Sequence, residues 1–150
     1  MGSIGEAIKQ KEFANEYSKL MINVLYTSSW LNGLANGIFK EYNLTQQQYN
    51  SLRILRGQHP EAASVNLLKD RMIDKMSNVS RIIDKLKAKD LVTRVPCEHD
   101  RRQVDITITK EGLKLLKAID VKMEKWEEQL HGITPEEAET VNDILDKWRG

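Results

Sequence analysis

Nearly the whole chain spaces its apolar residues for helices, and a two-residue period appears only between Leu91 and Ile108. The sequence therefore predicts a mainly α protein with one hairpin, in the order α-α-α-α-ββ-α-α. A short helix, a tight turn and a polar-faced helix stand directly before the hairpin, which is the winged helix-turn-helix order. The outer helices carry apolar stripes that the remaining elements are too few to cover, so they are expected to be N- and C-terminal dimerisation helices. Burial of those stripes within one subunit is the competing reading.

Each element has a local reason. Phe13, Tyr17, Leu20, Met21, Val24, Leu31, Ala35, Ile38 and Tyr42 follow helical spacing and predict one long amphipathic helix over 8–42. Gly33 and Gly37 lie inside it at a cost of about 1 kcal/mol each relative to Ala, and mark a bend or a close backbone approach. Thr45 with Gln48 forms a capping box that opens a second helix, to about position 56. Residues 57–63, with Pro60, make a turn. Asn66 is the expected N-cap of a helix over 67–72, and Asp74 that of a helix over 75–89. In the latter, Met76, Val79, Ile83 and Leu86 form the apolar stripe, and Ser77, Asn78, Arg81 and Lys85 point away from it.

Residues 91–95 and 103–108 read as strands, with Val104, Ile106 and Ile108 on one face and a polar loop bearing Arg101 and Arg102 between them. Thr109 caps a helix over 110–130, where Leu116, Ile119, Met123, Trp126 and Leu130 show 3-4-3-4 spacing, with Gly132 as its stop. Thr134-Pro135-Glu136-Glu137 opens the last helix, whose stripe is Ala138, Val141, Leu145 and Trp148.

Composition limits what such a chain does. With 150 residues, 40% hydrophobic and 30% charged, it is expected to form one domain with a real core. No apolar run approaches the roughly 18 residues of a membrane span, and the first residues lack the basic and apolar blocks of a signal peptide. One cysteine, Cys97, excludes an internal disulfide framework. The expectation is a soluble cytoplasmic protein with no membrane partner. A net charge of +1 hides an uneven distribution. Residues 66–102 hold ten Lys and Arg against six Asp and Glu, and residues 111–150 hold six against ten. The basic middle is the footprint of a polyanion site, or else a solvated mixed-charge surface.

The residues from Asp74-Lys75-Met76-Ser77-Asn78-Val79-Ser80-Arg81-Ile82-Ile83-Asp84-Lys85-Leu86, through Lys89-Asp90-Leu91-Val92-Thr93-Arg94, to Asp100-Arg101-Arg102-Gln103-Val104-Asp105-Ile106-Thr107-Ile108-Thr109-Lys110-Glu111-Gly112 resemble the MarR family of bacterial transcription regulators. The helices on both sides extend the resemblance over essentially the whole chain. Asp90 departs from it, since the family often has Gly there. Asp tolerates a left-handed helix end better than most residues. The resemblance implies a single MarR-type domain over 1–150, with 45–109 as the winged-helix DNA-binding part and 8–42 and 110–148 as dimerisation helices. It further implies a pincer-like homodimer on a pseudo-palindromic operator, and repression relieved by a small-molecule effector or an oxidant. A protein-interaction adaptor that has lost operator binding is the alternative.

The residue types supply the chemistry. Arg81 can donate two bonds to guanine O6 and N7, and Asn78 can pair with adenine, while Ser77 and the helix N-terminus can hold a phosphate. Lys75 and Lys85 suit backbone phosphates. An ion pair with Asp84 is the other reading of Arg81. Arg101 and Arg102 suit a narrow minor groove, and the family pattern makes Asp100 the brace of their loop. Which arginine enters stays open, as does a merely solvated tip. No phosphate-binding glycine loop, nucleophile elbow or His-Glu metal motif is present, so no enzymatic role and no cofactor are expected. Single-stranded RNA binding would call for stacking aromatics, which the polar face lacks. Cys97, with His99 and Arg101 near it, reads as a bystander or a redox switch. Its pattern with His59 and His131 is too sparse for a metal site. Tyr17, Trp30 and Tyr49 have the size for an effector pocket, although aromatics at helical spacing are more often core.

Overall fold

The computed structural model describes residues 2–129 and 132–150. Among them the order is α1 (Ile4–Ala7), α2 (Glu16–Glu41), α3 (Gln46–Gln58), α4 (Val65–Arg71), α5 (Val79–Ala88), β1 (Val92–Pro96), β2 (Val104–Ile108), α6 (Lys110–Gln129) and α7 (Pro135–Arg149). The mainly α winged-helix architecture stands, with α1 as an extra turn in front. Leu130 and His131 lie outside the described residues.

Three helix starts differ from expectation, each because a polar side chain captures the backbone first. The long helix expected over 8–42 is broken. Lys9 takes a left-handed φ of 55°, and Asn15 recaps the chain by accepting from Ser18 N at 2.9 Å, so α2 begins at Glu16. Ser64, not Asn66, caps α4 by accepting from Leu67 N at 3.1 Å. Asp74 does not cap α5. Its carboxylate accepts from Met76 N at 3.0 Å and its carbonyl from Ser77 N at 3.2 Å, which closes a turn instead of opening a helix. Asn78 takes the cap, accepting from Arg81 N at 3.1 Å. Met76 therefore leaves the expected core stripe and stands 92% exposed.

The capping boxes at Thr45–Gln48 and Thr134–Glu137 form as read, and Thr109 accepts from Gly112 N at 3.0 Å to start α6. The hairpin is antiparallel, with Val92 opposite Ile108 and Arg94 opposite Ile106. Ala63 bonds both ways with Ile106, at 2.8 and 2.9 Å, and so covers part of the free edge of β2. Asp90 has the left-handed φ of 57° that its place before the first wing strand requires.

The core lies under the hairpin, between α3, α5 and α6: Leu52, Leu55, Ile83, Leu86, Ile106 and Leu116 are almost wholly buried. Arg56 and Asp120 join α3 to α6 through two hydrogen bonds, of 2.6 and 3.3 Å. The outer helices are different. Tyr17, Leu25 and Leu34 on α2 and Val141, Ile144 and Trp148 on α7 are exposed, and α7 buries no residue. Among the described residues, nothing outside the helix's own backbone lies within 4 Å of a Cβ built on Gly33 or Gly37, so none of them makes the close approach expected there.

Candidate nucleic-acid interface

α5 and the turn before it are tied to α3 and the stretch just before α3. At its start, Asn50 Oδ1 accepts from Ile73 N at 3.0 Å, and Gln47 Nε2 donates to Asp74 Oδ2 at 3.4 Å. At its end, the Lys89 ammonium donates to the Asn43 carbonyl and to Gln48 Oε1. On its flank, Asp84 pairs with Arg94 of β1 at 2.7 Å, which ties the hairpin to the helix. These clamps fix the helix against the wing before any ligand arrives. Sequence reasoning named none of Asn50, Gln47, Lys89 and Arg94 for this task, because polar residues on a helix read as solvated.

The pairing of Asp84 with Arg94 leaves Arg81 with no acidic partner among the described residues, and Lys85 likewise has none. The two lie one helical turn apart, exposed, on a recess of about 410 Å³ whose other walls include Thr45, Gln47, Met76 and Ser77. Ser77 precedes the cap rather than standing in the first helical turn, and its hydroxyl is enclosed without a hydrogen-bond partner among the described residues. Lys75 donates to the Asp70 carbonyl at 2.6 Å, closing the turn rather than reaching outward. Asn78 Oδ1 accepts from Arg81 N at 3.1 Å in the cap, which engages one of its two lone pairs and leaves its amide NH2 free of that bond.

At the hairpin tip, Asp100 accepts from Arg102 N at 2.9 Å and from Gln103 Nε2 at 3.2 Å. Gln103 N donates to the Asp100 carbonyl at 2.9 Å. Arg101 and Arg102 are exposed, with no acid within ion-pair distance among the described residues. Cys97 is a free, partly buried thiol on the same loop. Four unpaired cations thus mark two positions, one on the helix and one on the wing, and suit a polyanion that spans both.

A second feature lies on the other side of α3. α2, α3, α6 and α7 enclose a groove of about 1010 Å³, and Phe39, Tyr49, Arg53 and Trp126 are among its walls. Tyr49 stacks on Phe39 with centroids 4.3 Å apart, and burial pushes its hydroxyl above the ordinary tyrosine range. The Trp126 indole N–H is buried without an acceptor among the described residues. Tyr17 and Trp30 do not line this groove.

This helix pair, clamped hairpin and cationic face define a winged-helix transcription regulator. The family model of the transcriptional regulators SarA/Rot matches residues 34–119, more than half of the chain, and the protein belongs to that family. Its fold is shared with MarR-like proteins. A MarR-like transcription regulator from Bacillus cereus ATCC 10987 superposes with a TM-score of 0.79 at 22% identity, over 89% of this chain and 96% of that one. A mutant MarR from E. coli complexed with operator DNA gives 0.78 at 22%, over 91% and 98%. BpsR from Bordetella bronchiseptica, whose DNA binding is regulated by 6-hydroxynicotinic acid, gives 0.67 at 26%, over 87% and 99%. Among the described residues no helix is long and apolar enough to cross a membrane.

Proposed function

We propose that this regulator is a homodimeric repressor that binds a pseudo-palindromic operator in double-stranded DNA and is released by a small-molecule effector. One observation carries the DNA reading: among the described residues Arg81 and Lys85 have no acidic partner, and they stand on the helix that the Asp84–Arg94 pair ties to a braced wing bearing Arg101 and Arg102. α5 lies in the major groove, where Arg81 reads guanine and Lys85 meets phosphate, and the wing arginines follow the adjacent minor groove. Residues 45–109 do this work. Residues 8–42 and 110–148 pair two copies, burying the exposed rows of α2 and α7 against each other and bringing a partner backbone beside Gly33 and Gly37. The effector occupies the groove over Tyr49, where Arg53 and the unpaired Trp126 N–H supply an anion partner and a donor.

Selection of bound duplexes from a random library at low ionic strength tests the DNA reading. An enriched inverted repeat, with half-sites about one helical turn apart, is the expected result. A protein that enriches no duplex is instead an interaction adaptor that has lost operator binding.

A further inference from the structure

Met76 is the most exposed large apolar side chain among the described residues, at 92%. It is not on a loose loop. Its own N–H is held by Asp74, and the turn that carries it is bonded to Asn50, to Gln47 and, through Lys75, to the end of α4. The neighbouring apolar residue, Ile73, faces the groove of Tyr49 and Trp126 on the far side of α3. Met76 lines the other recess, with Arg81 and Lys85. A partner that reaches Arg81 and Lys85 in this recess therefore reaches Met76 too, away from the groove over Tyr49.

Resting on the DNA reading above, we propose that Met76 is a specificity-determining residue that reads the C5-methyl group of a thymine in the major groove. Among the base edges of that groove, this methyl is the apolar group available. In helix-turn-helix proteins the N-terminal end of the second helix meets the base edges, and Met76 stands two residues before the Asn78 cap. An unbranched, polarisable side chain adapts to such a small target without strain. Two half-sites in a dimer double the effect on the free energy.

The test uses the full chain and its selected operator. Each thymine in turn, with its symmetry mate, is replaced by deoxyuridine, which removes the methyl and keeps the base pair. Burial of one methyl is worth about 4-fold in affinity per half-site, and about 15-fold for the symmetric pair. At one position the unaltered protein loses about that factor, whereas Met76→Ala loses less than about 2-fold there. Met76→Ala is already weakened on the thymine operator, and Met76→Leu restores the sensitivity. Because the side chain is exposed, thermal melting of Met76→Ala matches that of the parent. If the protein binds its operator but no thymine is sensitive, or if the sensitive one stays so in Met76→Ala, the proposal fails and the DNA reading survives. Failure to bind any duplex removes both.

Discussion

Replacing Arg81 with alanine weakens operator binding by about 1–3 kcal/mol per half-site and relaxes the preference for guanine at one position of each. The size follows from the state of the side chain before binding. A guanidinium already paired with an acid would have to break that pair, and the net gain would be small. Asp84, the nearest candidate on the helix, is bonded instead to Arg94 at 2.7 Å, and the backbone N–H of Arg81 is fixed by the Asn78 cap at 3.1 Å. The side chain thus has no ion pair to break and its root is rigid, so binding costs only the fixing of its own rotamers, about 0.5–1.5 kcal/mol. Arg101 and Arg102 behave differently. Their joint replacement by alanine weakens all duplexes more evenly and flattens the plot of log affinity against log salt. Each phosphate left without its cation lowers that slope by about 0.9. Anisotropy titrations at several salt concentrations separate the two patterns. Unchanged affinity and unchanged slope in both variants would remove these residues from the interface.

Gly112→Ala lowers the melting temperature by about 2–12 °C, the equivalent of about 1–3 kcal/mol in a domain of this size. A Cβ at Gly112 falls 2.5 Å from the Leu91 carbonyl oxygen and 2.7 Å from Ile108 Cγ1. Neither neighbour yields easily. The Leu91 carbonyl accepts from Thr109 N at 3.0 Å, and Ile108 is paired with Val92 in the hairpin. This is the junction where the wing meets α6. Gly57→Ala is the control. Its Cβ meets open space in α3, and removing a helical glycine stabilises by up to about 1 kcal/mol. Differential scanning calorimetry of the two variants shows shifts of opposite sign. A parental melting temperature for Gly112→Ala would mean that the wing junction is looser than the packing implies.

The capping boxes at Thr45 and Thr134, the two strands, and the buried residues Val79, Ile83 and Leu86 of α5 and Leu116 and Ile119 of α6 were readable in the sequence, because each rests on residues within a few positions of one another. The start of α5 was not. Asp74 and Asn78 are both competent caps four residues apart, and the choice between them is made by Asn50, 23 residues away from its bond to Ile73, and by Gln47. The same limit hid Lys89, whose carbonyl partner Asn43 is 46 positions distant. Periodicity placed Met76 in the core for the same reason: it assumed that the helix had already begun. For the residues proposed to face DNA, the sequence supplied the chemical type of Arg81, Lys85, Arg101 and Arg102. It could not say whether an acid already occupied them. Only the distance from Asp84 to Arg94 answers that for Arg81.

Sedimentation of the purified protein, alone and with a duplex carrying the selected inverted repeat, is the most direct test. The expected mass of the free protein is twice the 17.3 kDa of one chain, and the complex contains two chains per duplex. A single-chain species that leaves the duplex sedimenting as free DNA at low ionic strength would contradict a paired, DNA-clasping regulator.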